Sequence, residues 1–114
     1  MNYLMLVNKN NLLERTYIPD DLIDSGSIYR DNILVCKKVA RMFKLMRALA
    51  KGYGYNIDIM SGYRDYNYQE KLYNKLVLEK GFNYAFRYIA LPGASEHQTG
   101  LAVDVCVYRD NKCY

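Results

Sequence analysis

His97 is the only histidine in the chain, and Asp104 follows it by seven residues in Ser95-Glu96-His97-Gln98-Thr99-Gly100-Leu101-Ala102-Val103-Asp104. An imidazole nitrogen and a carboxylate oxygen are both ordinary ligands of zinc. Asp104 sits among Val103, Val105 and Val107, and an aspartate in an apolar strand needs a partner, because an unpaired buried charge is costly. A divalent metal held by His97 and Asp104 would be that partner. The other reading of the pair is a surface histidine and an aspartate bonded to backbone amides. A catalytic zinc usually has three protein ligands and an open position, where it acidifies a bound water and polarises a carbonyl. Arg64, on the Ser61-Gly62-Tyr63-Arg64 turn, is the second candidate. Its guanidinium could bind a carboxylate through two parallel hydrogen bonds or stabilise an oxyanion; alternatively it pairs with Asp65 or Glu70.

These residues need elements to hold them. Asp31 is expected to cap a long helix with Val35, Val39, Met42, Phe43, Met46, Leu49 and Ala50 on one core-facing stripe, stopped by Gly52 and Gly54. Cys36 would lie on its apolar face. A short strand over 57–61 leads into the Arg64 turn. Asp65 can cap a second helix over about 66–80, with Gln69, Leu72, Tyr73, Leu76 and Val77 on one side and Gly81 as the stop. A short helix is expected over 84–89, and Leu91-Pro92-Gly93 breaks it. The clearest strand is 101–108, with the valines on one face and Ala102, Asp104 and Cys106 on the other. Arg109 to Lys112 is a turn, and a return strand would start near Cys113. Residues 3–7 read as a short strand or extended lead-in and Asn8 to Asn11 as a turn or loop. Together these elements predict an α+β fold, with helices packed on a small antiparallel sheet.

The 114 residues bound this to one domain, and a 51% hydrophobic composition can fill a core. The net charge of +4 is a mild excess. Lys37, Lys38, Arg41, Lys44, Arg47 and Lys51 fall at helical spacing and read as a solvated face, not a nucleic-acid footprint. The 13 tyrosines read as core and boundary residues, with a polar groove as their other use. No run is apolar enough for a membrane span, and the N-terminus lacks a secretion signal. Three cysteines are too few for a disulfide framework, but Cys106 and Cys113 flank the predicted turn and could pair.

Ser61-Gly62-Tyr63-Arg64, Gln69, Gly81, Ala85 and the run from Pro92 to Asp104 resemble the VanY-type D-alanyl-D-alanine carboxypeptidases, part of a wider group of zinc peptidases. Leu6 to Lys9 and Tyr17 to Leu22 resemble that family's N-terminal segment, so the likeness spans nearly the whole chain. The resemblance implies a zinc-dependent enzyme acting on peptidoglycan peptides on the cell-wall side of the membrane. It makes His97 and Asp104 two of three zinc ligands and Arg64 the residue that binds substrate and steadies the oxyanion. Ser95 and Gln69 fall at motif positions near the substrate, and Glu96 is typical of the motif.

The family's third ligand and general base come from a later Glu-x-x-His segment, which these residues do not contain. Residues 1–114 therefore read as a C-terminally truncated carboxypeptidase-like domain, inactive or weak by itself. The alternatives are a non-catalytic remnant that binds cell-wall peptides, or a metal site completed by a second chain or by Cys106 or Cys113.

Overall fold

Two short runs of branched apolar residues, Leu22–Asp24 (β1) and Leu34–Cys36 (β2), pair antiparallel, with Ile23 opposite Val35. They open the computed structural model, which describes residues 5–114. Helix α1 follows directly over Lys37–Gly52. Next come β3 (Ile57–Ser61), α2 (Tyr66–Lys80), α3 (Phe82–Tyr88), a 3-10 turn over Glu96–Thr99, β4 (Asp104–Arg109) and β5 (Lys112–Cys113). A second antiparallel sheet has the order β3-β4-β5. The α+β expectation holds, with the strands divided between two small sheets. No helix among the described residues is long and apolar enough to cross a membrane.

The first helix begins later than its cap signal predicted. Residues 34–36 are strand because their backbone groups find non-helical partners. Tyr63 N–H donates to the Leu34 carbonyl at 2.7 Å, and Cys36 N–H donates to the Gly100 carbonyl at 2.9 Å. These long-range bonds override the local helical periodicity. Cys36 is therefore the extended residue that precedes α1, not a residue on its face.

The core is smaller than the stripe on α1 predicted. Ile33, Phe43 and Ile59 form the buried cluster, with Ile57 and Val103 packed against it. Burial of each such side chain is worth about 1.5–3 kcal/mol. Met42, Met46 and Leu49 remain 54%, 50% and 69% exposed. Only Phe43 of the predicted stripe is buried within α1. Most of the basic residues on α1 are exposed, but Arg47 is half-buried and pairs with Asp58.

Several signals were read correctly. The Asp65 carboxylate accepts from Tyr68 N–H and caps α2, and Gly81 ends it. The turn after β4 carries Asp110 and Asn111 at φ 54° and 62°, the left-handed pair of a tight hairpin. β5 returns from it, and Cys106 and Cys113 form a disulfide. That bond removes both sulfurs from the list of possible metal donors. Asn8 and Asn11 bridge each other across the predicted turn. Of the two readings of residues 3–7, the strand does not form over residues 5–7, and residues 3 and 4 lie outside the described part.

Candidate functional site

β3 ends in Ser61, and a register irregularity between Ile59 and Ser61 sets Ser61 opposite Asp104 at the start of β4. Gly62 follows where the chain runs against β2. A Cβ there would lie 2.5 Å from the Leu34 carbonyl oxygen, so only glycine permits this approach. Tyr63 N–H closes the contact through Leu34. Arg64 is then fixed by its own N–H, which donates to the His97 carbonyl at 3.2 Å.

The His97 segment is held just as fully. Ser95 Oγ accepts from His97 N–H at 3.2 Å and caps the 3-10 turn. Thr99 Oγ1 donates to the Glu96 carbonyl and accepts from Leu101 N–H. Gln98, almost fully buried, donates through Nε2 to the carbonyls of Glu14 and Tyr17 at 3.0 and 3.2 Å. Gly100 closes the turn at φ 73°, with its Cα packed so near Cys36 Sγ that a Cβ would sit 2.7 Å away.

These two segments bring His97, Asp104 and Arg64 together. His97 Nε2 lies 3.6 Å from Asp104 Oδ2. Arg64 Nη2 lies 3.4 Å from the same oxygen and donates to Ser61 Oγ at 3.2 Å. Ser61 Oγ donates to Asp104 Oδ2. His97 Nδ1 lies 2.7 Å from the Gly62 carbonyl oxygen. A carbonyl only accepts, so Nδ1 carries the proton and Nε2 of the neutral ring is a lone pair turned toward Asp104. Two acceptors facing each other at this distance favour a positive charge between them. Two tetrahedral ligand atoms on one zinc lie about 3.3 Å apart, so the pair fits a shared ion. The Nδ1 bond to a backbone carbonyl is the usual outer support of a metal-binding histidine.

Asp104 is not the buried carboxylate its valine neighbours suggested. Its side chain is 45% exposed, against 16% for His97. Val105 and Val107 are themselves about 40% exposed, so of the three valines only Val103 packs against the core. Arg64 does not pair with Asp65, which caps α2, or with Glu70, which pairs with Arg15. Among the described residues, no group of three or more His, Cys, Asp or Glu side chains could hold a metal ion.

Ser95 and Gln69 lie apart from this cluster's polar contacts. Ser95 is buried and acts on the His97 backbone. Gln69 is buried and donates through Nε2 to the Ala90 carbonyl at 2.9 Å, holding the loop after α3. Ser61, Arg64 and Asp104 instead open onto a cleft of about 480 Å³, also lined by Arg30, Asp31, Asn32, Tyr63, Asp65 and Tyr68. Arg64 lies 6.0 Å from the centre of the Tyr68 ring. Burial, and secondarily Asp65, raises the Tyr63 phenol above its ordinary range, so Tyr63 presents a protonated hydroxyl. The sequence offered no signal for Arg30 to Asn32, which reach the cleft only through the tertiary fold.

The chain as a whole has known relatives. Residues 32–113 match the family model described as VanY, D-alanyl-D-alanine carboxypeptidase. The chain belongs to the VanY family. It is 36% identical over 105 residues to the bifunctional D-Ala-D-Ala dipeptidase and D-Ala-D-Ala carboxypeptidase VanXYC of Enterococcus gallinarum, covering 92% of this chain and 54% of that protein. Among solved structures, the LdcB LD-carboxypeptidase superposes with a TM-score of 0.83 at 37% identity, over 90% of this chain and 50% of that one. The vancomycin-resistance D,D-pentapeptidase VanY, solved with Zn(II), superposes with a TM-score of 0.78 at 26% identity, over 96% of this chain and 64% of that one. This VanY-family chain thus spans only part of the relatives it matches, from about a quarter to about half the length of the curated proteins and from 41% to 64% of the solved chains.

Proposed function

We propose that this chain carries the substrate-gripping part and two metal ligands of a zinc-dependent D-alanyl-D-alanine carboxypeptidase that acts on peptidoglycan stem peptides on the cell-wall side. The convergence of Ser61, Arg64 and His97 on Asp104 Oδ2, with Ser61, Arg64 and Asp104 lining one cleft, carries the proposal. His97 and Asp104 would hold the zinc, which when bound polarises the scissile carbonyl and acidifies a water. Arg64 would grip the peptide's terminal carboxylate and steady the oxygen that gains charge. Ser61 holds Asp104 by hydrogen bond, Gly62 holds His97 in the required tautomer, and Ser95 orders the turn that presents His97. Gln69 holds the loop after α3 through the Ala90 carbonyl.

A second reading has its own support. With no third ligand among the described residues, these residues by themselves would bind a peptide carboxylate without cleaving the peptide. The two readings separate in one assay of the purified chain with a peptide ending in D-Ala-D-Ala and added zinc. We expect binding that Arg64→Ala weakens about tenfold or more, with little or no release of D-alanine. Robust release abolished by His97→Ala would show that the chain completes its own catalytic centre. Absence of binding would refute both readings.

A further inference from the structure

The loop that brings Arg30 to the cleft is built around a buried charge. Asp58 in β3 is 1% exposed. Its Oδ2 accepts from the backbone N–H groups of Ile28 and Tyr29, both at 2.8 Å. Its Oδ1 accepts from Ile59 N–H at 2.8 Å and from Arg47 Nη2 at 2.6 Å. Ser27 Oγ donates to the Ile59 carbonyl at 2.8 Å, and Ser25 N–H to the Ile33 carbonyl at 2.8 Å. The two residues before Arg30 are therefore pinned to β3 by a carboxylate whose own charge is balanced by Arg47.

Of the two arginines that line the cleft, Arg30 and Arg64, only Arg64 is ion-paired among the described residues. Arg15 is bound to Glu70, Arg47 to Asp58 and Arg64 to Asp104. Arg30 lines the cleft, and among the described residues it makes no ion pair. Its guanidinium rests 5.5 Å from the centre of the Tyr29 ring, on the residue that Asp58 holds. A guanidinium is suited to bidentate carboxylate recognition, and a pinned backbone with an aromatic platform lowers the ordering cost of binding. The cleft volume of about 480 Å³ lies within the range of ligand pockets, and it extends beyond the neighbourhood of Arg64.

We propose that Arg30 is a second carboxylate-recognition residue. It would select peptides that carry a free carboxylate upstream of their C-terminal one over peptides in which that upstream group is an amide. The proposal rests on the reading that Arg64 takes the C-terminal carboxylate in this same cleft.

The test uses two synthetic pentapeptides ending in D-Ala-D-Ala, identical except that an acidic residue upstream is a free carboxylate in one and a carboxamide in the other. Calorimetry would compare the full chain with Arg30→Ala, Arg30→Lys and Arg64→Ala. The loop's anchors are backbone groups of other residues, so Arg30→Ala leaves them in place. We expect the unmodified chain to prefer the acid about three- to tenfold. Arg30→Ala should bind both peptides equally, Arg30→Lys should keep part of the preference, and Arg64→Ala should weaken both peptides alike. Equal binding of both peptides by the unmodified chain, or a preference that survives Arg30→Ala, would overturn the role of Arg30; if Arg64→Ala still weakened binding, the reading of the cleft would stand. Failure of both peptides to bind at all would overturn both.

Discussion

Asp104 Oδ2 is approached by Ser61 Oγ, Arg64 Nη2 and His97 Nε2, while the buried thiol of Cys36 lies behind the Gly100 turn that follows His97. Burial, with smaller contributions from Asp21 and Asp20, pushes that thiol up to about 12. Its pKa in the unfolded chain is about 8.5, so the folded state holds the proton more tightly. The stabilisation is complete below about pH 8.5 and is lost as pH rises toward 12. We expect Cys36 to resist iodoacetamide in the native state at pH 8, and conformational stability to fall between about pH 9 and 12, less steeply in Cys36→Ala. Urea melts across that range, with mass spectrometry of the alkylated chain, measure both. At this scale the sequence was partly legible. The motif named His97, Asp104 and Arg64, and the structure brings them together. The inference that an aspartate among apolar neighbours must be buried and paired was sound but fell on the wrong residue. It describes Asp58, between Ile57 and Ile59, whereas Asp104 stands at a half-open strand end. Sequence alternation alone does not say which face of a strand is covered.

The elements that carry these residues depend on long-range backbone bonds. β2, Gly62–Tyr63 and the Gly100 turn are joined through Leu34, Cys36 and their partners. This junction turned a predicted helical start into a strand, and no local signal encodes it. The helix α2 and its Asp65 cap, by contrast, were legible because their hydrogen bonds are local. Asp58 is the other long-range joint. Asp58→Ala would leave three backbone N–H groups, that of Ile59 buried and those of Ile28 and Tyr29 partly so, and Arg47 without their acceptor. We expect a loss of about 2–4 kcal/mol in chemical denaturation, and a comparison with Asp58→Asn would separate the charge from the hydrogen bonds. An unchanged midpoint would mean the loop is held by its other contacts.

At the scale of the whole molecule, α1 presents Met42, Leu45, Met46 and Leu49 to the surface, and β4 presents Val105 and Val107. The helical stripe was correctly read as apolar and amphipathic, yet only Phe43 of its central residues reaches the core. Contiguous apolar surface of this kind favours association or dye binding. The described residues should therefore bind a hydrophobic fluorophore in the folded state. The double variant Met46→Lys and Leu49→Lys should reduce that fluorescence and any self-association while changing stability by less than about 1 kcal/mol. Light scattering and fluorescence titration, alongside a thermal melt, measure these effects. A large loss of stability would mean that these side chains are structural.

His97 is the sole histidine, so every imidazole resonance of this chain reports on the candidate metal site. The most direct measurement is a zinc titration followed by side-chain nitrogen NMR of the imidazole. We expect Nε2 to shift on zinc addition while Nδ1 keeps its proton for the Gly62 carbonyl, with the response lost in Asp104→Ala. An imidazole that does not respond to zinc, or responds identically without Asp104, would contradict the assignment of His97 and Asp104 as a shared metal-binding pair.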